Sequence, residues 1–188
     1  MTERAFNAYQ HEVRAILDGR QTQFRRVIKP QPLGEYKGGF IGEMPKCPYG
    51  ASGDMLWVRE TWVYDNAPDY SGDVLLFRAD GEINGMSWRQ STHMPRWASR
   101  ITLRVADVRV ERVQHISMKD VLAEGLDYEE GVTAEWFNEG EHYYTAGSPT
   151  PGEKYAFIRL WDSTNAARGY GWDANPWVWV VEFEKVQP

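Results

Sequence analysis

Apolar positions Val13, Ile16 and Leu17 recur at helical spacing and predict a short helix. Asn7 stands where an N-cap belongs, and Gly19 where a helix exit wants positive φ. Residues 1–5 carry no pattern and read as a loose end. Thr22 to Ile28 reads as a strand stopped by Pro30 and Pro32. After the turn signal Gly53-Asp54, Met55 to Val63 alternates as a strand, with Leu56, Val58, Glu60 and Trp62 on one face. Val74 to Ala79 is a second short strand before the Asp80-Gly81 turn. Ile101 to Val113 alternates with a change of phase at Ala106-Asp107, which predicts a bulge or bend. Ser117 and Asp120 form a capping-box variant opening a short helix through Glu124, ended by Gly125. A helix from about Glu153 to Ser163 has Tyr155, Ile158, Leu160 and Trp161 as its apolar set, with Phe157 on the flank. Trp177 to Val186 closes the chain as a long strand.

Regular short strands with turns, a bend and two to three short flanking helices predict an α+β, mainly β fold built on a small closed barrel. No linker divides residues 1–188, so a single domain is expected, with insertions at about 33–53, 65–100 and 126–152. Net charge −6 and pI near 5.3 argue against coating duplex nucleic acid, though not against a local basic pocket. The lone Cys47 rules out an internal disulfide and a cysteine-rich zinc site. His93 and His115 show no diagnostic ligand spacing, so neither a metal nor a cofactor is expected. No signal peptide or apolar span is apparent, which predicts a cytoplasmic protein without a membrane partner. The chain is rich in aromatics, with nine Trp, ten Tyr and seven Phe. Most of these must be core, and the remainder is available for stacking.

Three places carry candidate chemistry. Arg20, Arg25 and Arg26 crowd the exit of the first helix, either as a solvated basic turn or as the wall of an anion-binding cleft. Glu60 shares a strand face with apolar residues and so needs a partner, an arginine being the obvious one. It is a structural salt-bridge member or a cleft residue. The stretch His93-Met94-Pro95-Arg96-Trp97, bracketed by Arg89 and Arg100, supplies charge for phosphate and a flat face for a base. Its other reading is a packed loop anchored by Trp97.

The run Gly19-Arg20-Gln21-Thr22 into Arg26, then Gly53-Asp54-Met55-Leu56-Trp57-Val58, then Ser117 to Gly125 and a final aromatic–valine strand, resembles the ASCH domain, a PUA-like β-barrel. Trp57 to Trp62, His93 to Arg100 and Gly169 to Trp177 are similar to ASCH-like proteins of tailed bacteriophages and prophages, so the resemblance covers nearly the whole chain. It implies a barrel with a cleft beside the first helix, bound to RNA or modified nucleosides, in a bacterial host cell. The family pattern Gly-x-Lys-x-x-Glu-x-Arg falls on Gly19, Gln21, Phe24 and Arg26, so glycine and arginine match while Gln21 and Phe24 depart. Small members that remove the acetyl group of N4-acetylcytidine carry Gly-Arg-Lys-Thr-x-Thr and a later glutamate. On that mapping Thr22 is kept, the nucleophilic threonine falls on Phe24, and the glutamate falls on Glu124. Gln21 cannot take a hydroxyl proton at neutral pH and Phe24 offers no nucleophile, so this hydrolysis is expected to be absent or very weak.

Three functions compete at this point. The first is a module binding a nucleotide, modified nucleoside or single-stranded RNA or DNA. In it Arg20, Arg25 and Arg26 contact phosphate, Phe24 or Trp97 stacks on a base, and Gln21 and Glu124 read its edge; Glu60, Trp62, His93 and Arg96 complete the ligand set. The second is a nucleoside- or RNA-processing hydrolase with Glu124 or Glu60 as base, His93 as its partner, and Thr22 as substitute nucleophile. The third is an interaction protein whose acidic, aromatic residues 126–152 bind a host protein.

Overall fold

The opening residues form a strand. In the computed structural model, which describes residues 1–32, 35–36, 39–40, 46–65, 74–126 and 152–186, β1 (Glu3–Asn7) runs parallel to β5 (Met55–Arg59). Phe6 is 1% exposed and lies opposite Val58. The Thr2 N–H donates to Asp54 Oδ1 at 2.7 Å, and the Met55 N–H to the Thr2 carbonyl at 2.8 Å. The expected loose end is therefore corrected: one apolar anchor and a carboxylate clamp order a stretch too short to show periodicity.

The helix α1 (Gln10–Leu17) buries Glu12, Val13, Ala15 and Ile16. It opens at Tyr9, not Asn7, because the Glu12 carboxylate accepts the Tyr9 N–H at 2.8 Å while Asn7 completes β1. Gly19 follows at φ 74°, the left-handed exit predicted for it. The other elements are β2 (Gln23–Val27), β3 (Glu35–Tyr36), β4 (Gly39–Phe40), β6 (Trp62–Asp65), β7 (Val74–Phe77), β8 (Thr102–Arg112), α2 (Met118–Ala123), α3 (Gly152–Asn165) and β9 (Trp177–Val186). The final strand buries Trp177 to Val181 without alternation, as a strand covered on both faces does. The expected insertion at 126–152 falls outside the described residues except for its two end positions.

The architecture is mixed α+β, mainly sheet with a few helices. Hydrogen-bonded neighbours follow the order β1-β5-β8-β9-β2, while β3–β4 and β6–β7 form separate two-stranded sheets. Among the described residues the large sheet is open, so the expected closed barrel is corrected: β1 and β2 are its edges and do not pair with each other. The chain also divides into two compact units. The first holds residues 1–19, 47–107 and 182–188, and the second 20–46 and 108–181. Within β8 the alternation of buried positions stops at Ala106 and Asp107, both exposed, where the chain passes from the first unit to the second.

In the first unit Leu56 pairs with Leu103 across β5 and β8, and a satellite core gathers Trp62, Met94 and Ala98. In the second, Val113, Ile116, Val121, Phe157, Trp161, Val178 and Val180 pack together. The buried face of α3 is Ala156, Phe157 and Trp161, while Tyr155, Ile158 and Leu160 are half-buried. The expected core face is thus rotated toward the two large rings four residues apart.

Candidate functional site

The predicted residues fall into two groups, one in each unit. In the second unit, residues 20–25 dock on the C-terminal end of α2. The Thr22 N–H donates to the Ala123 carbonyl at 2.9 Å, Gln21 bridges Glu124 through the backbone, and Arg20 Nη1 donates to the Gly125 carbonyl at 2.8 Å. A cation at a helix C-terminus meets carbonyls that have no partner within the helix. Beneath this contact lies a buried polar network. The Arg25 side chain, 1% exposed, donates to Glu124 at 2.5 Å and Glu111 at 2.6 Å, with Asp120 at 3.4 Å. Arg109 bonds Asp120 at 2.8 Å and the Gln23 carbonyl oxygen Oε1 at 3.0 Å. Gln23 Nε2 donates to Glu124 at 3.0 Å, and Gln21 Nε2 to the Gln23 backbone carbonyl at 2.9 Å.

Of the three arginines expected to wall a cationic cleft, Arg25 is buried and engaged by carboxylates, so it is not open to a phosphate. Arg26 donates to the Arg25 carbonyl at 2.9 Å and lies 5.2 Å over the Phe24 ring, on the strand face opposite Arg25. Gln21 and Glu124 do meet. Phe24 is 0% exposed, a core residue with no surface for a base, which corrects its role as a stacking ring. Glu124 is engaged by Arg25 and Gln23, while the exposed Thr22 sits on the outside. Desolvation raises the Asp120 carboxyl pKa, but the Ser117 hydroxyl and the Arg25 and Arg109 charges outweigh it, leaving the group below its ordinary value.

The first unit holds the other group. Glu60 and Trp62 are 2% and 3% exposed. Arg100 grips Glu60 through two bonds of 2.9 Å and also binds Asp80 at 2.8 Å. Glu60 thus forms the arginine ion pair that its strand face called for. Burial pushes its pKa up, and Arg100 offsets that only in part. Trp62 is likewise core, so its place in the ligand set is corrected to support.

Trp97 is different. Pro95 precedes the short 3-10 turn Arg96–Ala98; Met94 before it and Ala98 at its end are buried at 1% each. These anchors leave the intervening Trp97 67% exposed. Trp62 and Tyr64 meet its ring edge-on at 6.1 Å and 5.7 Å between centroids, which fixes it from behind. Arg96 beside it pairs with Glu3 at 2.9 Å, and His93 is exposed on the preceding turn. Both stand in the same unit as Trp97.

A recess of about 460 Å³ adjoins this group, lined by Val63, Tyr64, Met86, Ser87, Trp88 and Arg89 together with Gly85. Arg89 is fixed by backbone bonds to Trp62, at 2.8 Å and 3.3 Å, and its guanidinium lies 5.2 Å over the Trp62 ring. Sequence reasoning bracketed the Trp97 stretch with Arg89 but missed Tyr64, which sits on another strand and carries no signal of its own. Among the described residues no group of three or more His, Cys, Asp or Glu side chains is placed to hold a metal ion, and no helix is long and apolar enough to cross a membrane. Burial pushes the Cys47 thiol pKa up, which disfavours the thiolate.

No family model matches the chain, and no curated protein matches it. Among solved structures, protein EF3133 from Enterococcus faecalis V583, of the DUF984 family model, aligns over 99% of this chain and 81% of its own. The identity is 12% and the TM-score 0.45, a level of likeness that supports no statement about fold or function.

Proposed function

We propose that this chain is an ASCH-like, PUA-type binding module of phage or prophage origin that holds a nucleotide or single-stranded nucleic acid on the Trp97 face of its first unit. The observation that carries this is the two-thirds exposed Trp97 ring, braced edge-on by Trp62 and Tyr64. A large aromatic surface costs free energy in water and is repaid when a base covers it, at about 1–3 kcal/mol per stacked base. The braced ring loses little side-chain freedom on binding, so less of that gain is offset. Arg89 supplies positive charge in the same unit as the ring, with Arg96, paired to Glu3, and the exposed His93 as further polar groups. The helix exit, by contrast, holds the fold together.

Hydrolysis of the acetylcytidine type finds no support in this arrangement. Gln21 has no basic nitrogen, Phe24 is sealed in the core, and Glu124 is neutralised by Arg25. A thermal-shift screen with nucleosides, nucleotides and short oligonucleotides tests the proposal, since a ligand of the folded state raises Tm. At least one of them stabilises wild type and fails to stabilise Trp97→Ala; no shift with any of them rejects it.

A further inference from the structure

The recess beside Trp97 has features that stacking on an open face leaves unused. Its volume of about 460 Å³ falls within the range of small-ligand sites. Its lining combines ring- and thioether-bearing residues, Tyr64, Trp88 and Met86, with the hydroxyl-bearing Ser87 and the cationic Arg89. In the same unit Arg78, Arg96, Arg100 and Arg104 each pair with a carboxylate. Among the described residues no carboxylate pairs with Arg89, although the chain carries net charge −6 and Arg89 is exposed. Its only described side-chain partner is the ring of Trp62. Stacking on a ring orients a guanidinium while leaving its N–H fork open, the geometry that suits bidentate phosphate binding. The Trp88 indole N–H is also without a hydrogen-bond partner. Tyr64 both braces Trp97 and lines the recess, so the two surfaces are contiguous.

We infer that this recess is a binding site for a nucleoside 5′-phosphate, with the base against Tyr64, Met86 and Trp88 and the phosphate on Arg89 and Ser87. The choice of a nucleotide over other ring-bearing anions rests on the reading of the Trp97 face. The group is either a free mononucleotide or the phosphorylated 5′ end of a strand whose next base reaches Trp97.

Binding of the four nucleoside 5′-monophosphates, the matching nucleosides, and a short oligothymidylate with and without a 5′-phosphate is measured on wild type, Arg89→Gln, Ser87→Trp and Trp97→Ala, with Tm recorded for each. At least one monophosphate, or the phosphorylated oligomer, binds about tenfold or more tighter than its unphosphorylated form. Arg89→Gln erases that preference, and Ser87→Trp, which fills the recess, removes monophosphate binding while Tm holds. A preference for the monophosphate marks a free nucleotide, and one confined to the phosphorylated oligomer marks a strand end. No phosphate preference, or a preference untouched by both recess variants, overturns the inference. Oligomer binding that then still depends on Trp97 leaves the open-face reading standing. Recess variants that act while Trp97→Ala does not reject the open face and keep the recess.

Discussion

Arg25 and Glu124, 99 residues apart in sequence, form a buried ion pair at 2.5 Å that ties β2 to the end of α2. The pair gives Arg25 a structural role that needs no ligand. Arg25→Met takes the buried cation away from Glu111, Asp120 and Glu124 and should cost about 3–5 kcal/mol of stability at neutral pH. In wild type the Asp120 carboxyl lies below its ordinary value of 3.8, so its contribution is complete above that value and is lost as pH falls through the depressed one. In the variant, acid instead relieves carboxylate repulsion. Denaturant unfolding as a function of pH should therefore show the gap between the two proteins narrowing on acidification; a constant gap contradicts this account of the network.

The Glu60–Arg100 pair behaves differently. Burial holds the Glu60 pKa above its ordinary value despite two 2.9 Å bonds to Arg100, so the ionised group is a net cost at neutral pH that is relieved as pH falls through the raised pKa. Glu60→Gln should change stability by no more than about 1 kcal/mol, whereas Arg100→Met, which strands the carboxylate, should cost about 3 kcal/mol. A double-mutant cycle reads the difference, and equal losses for the two single variants would count against it.

Ser117→Ala removes the side chain that accepts the Asp120 N–H at 3.1 Å and should cost about 1 kcal/mol by the cap alone. Because Asp120 also binds Arg109 and approaches Arg25, this loss should be smaller in an Arg25→Met background than in wild type. Additive losses in chemical denaturation would show that cap and network are independent.

Restoring the amine and hydroxyl at the helix exit should not create an acetylcytidine hydrolase. Phe24→Thr empties a fully buried position at a cost of about 3 kcal/mol or more, and Glu124 stays bound to Arg25. Chromatography of N4-acetylcytidine incubated with Gln21→Lys/Phe24→Thr should show no cytidine above background, as for wild type. Release abolished by Glu124→Ala would reverse this conclusion.

Where one strong signal determined the outcome, the sequence was readable. The Ser117–Asp120 cap, Gly19 and Gly125 at positive φ, the Trp177–Val186 strand and the need of Glu60 for an arginine are all visible in a few adjacent residues. What depends on distant partners was not. Phe24 and Arg26 look as available as Arg25 until β2 is seen to bury Gln23, Phe24 and Arg25 together. The carboxylates that neutralise Arg25 come from positions 111, 120 and 124, and nothing local marks any of them as a partner of Arg25. The β1 strand carries a single apolar anchor, and the recess draws on β6 and on a turn more than twenty residues later.

The account rests most directly on the exposed Trp97 ring. Its removal should leave Tm nearly unchanged, because two-thirds of the residue is already in water. Fluorescence anisotropy with a labelled single-stranded oligonucleotide, run at several salt concentrations, should show wild type binding with a salt-dependent Kd and Trp97→Ala binding about 5- to 150-fold more weakly. Equal affinity of the two proteins, or no binding by wild type at low salt, would contradict it.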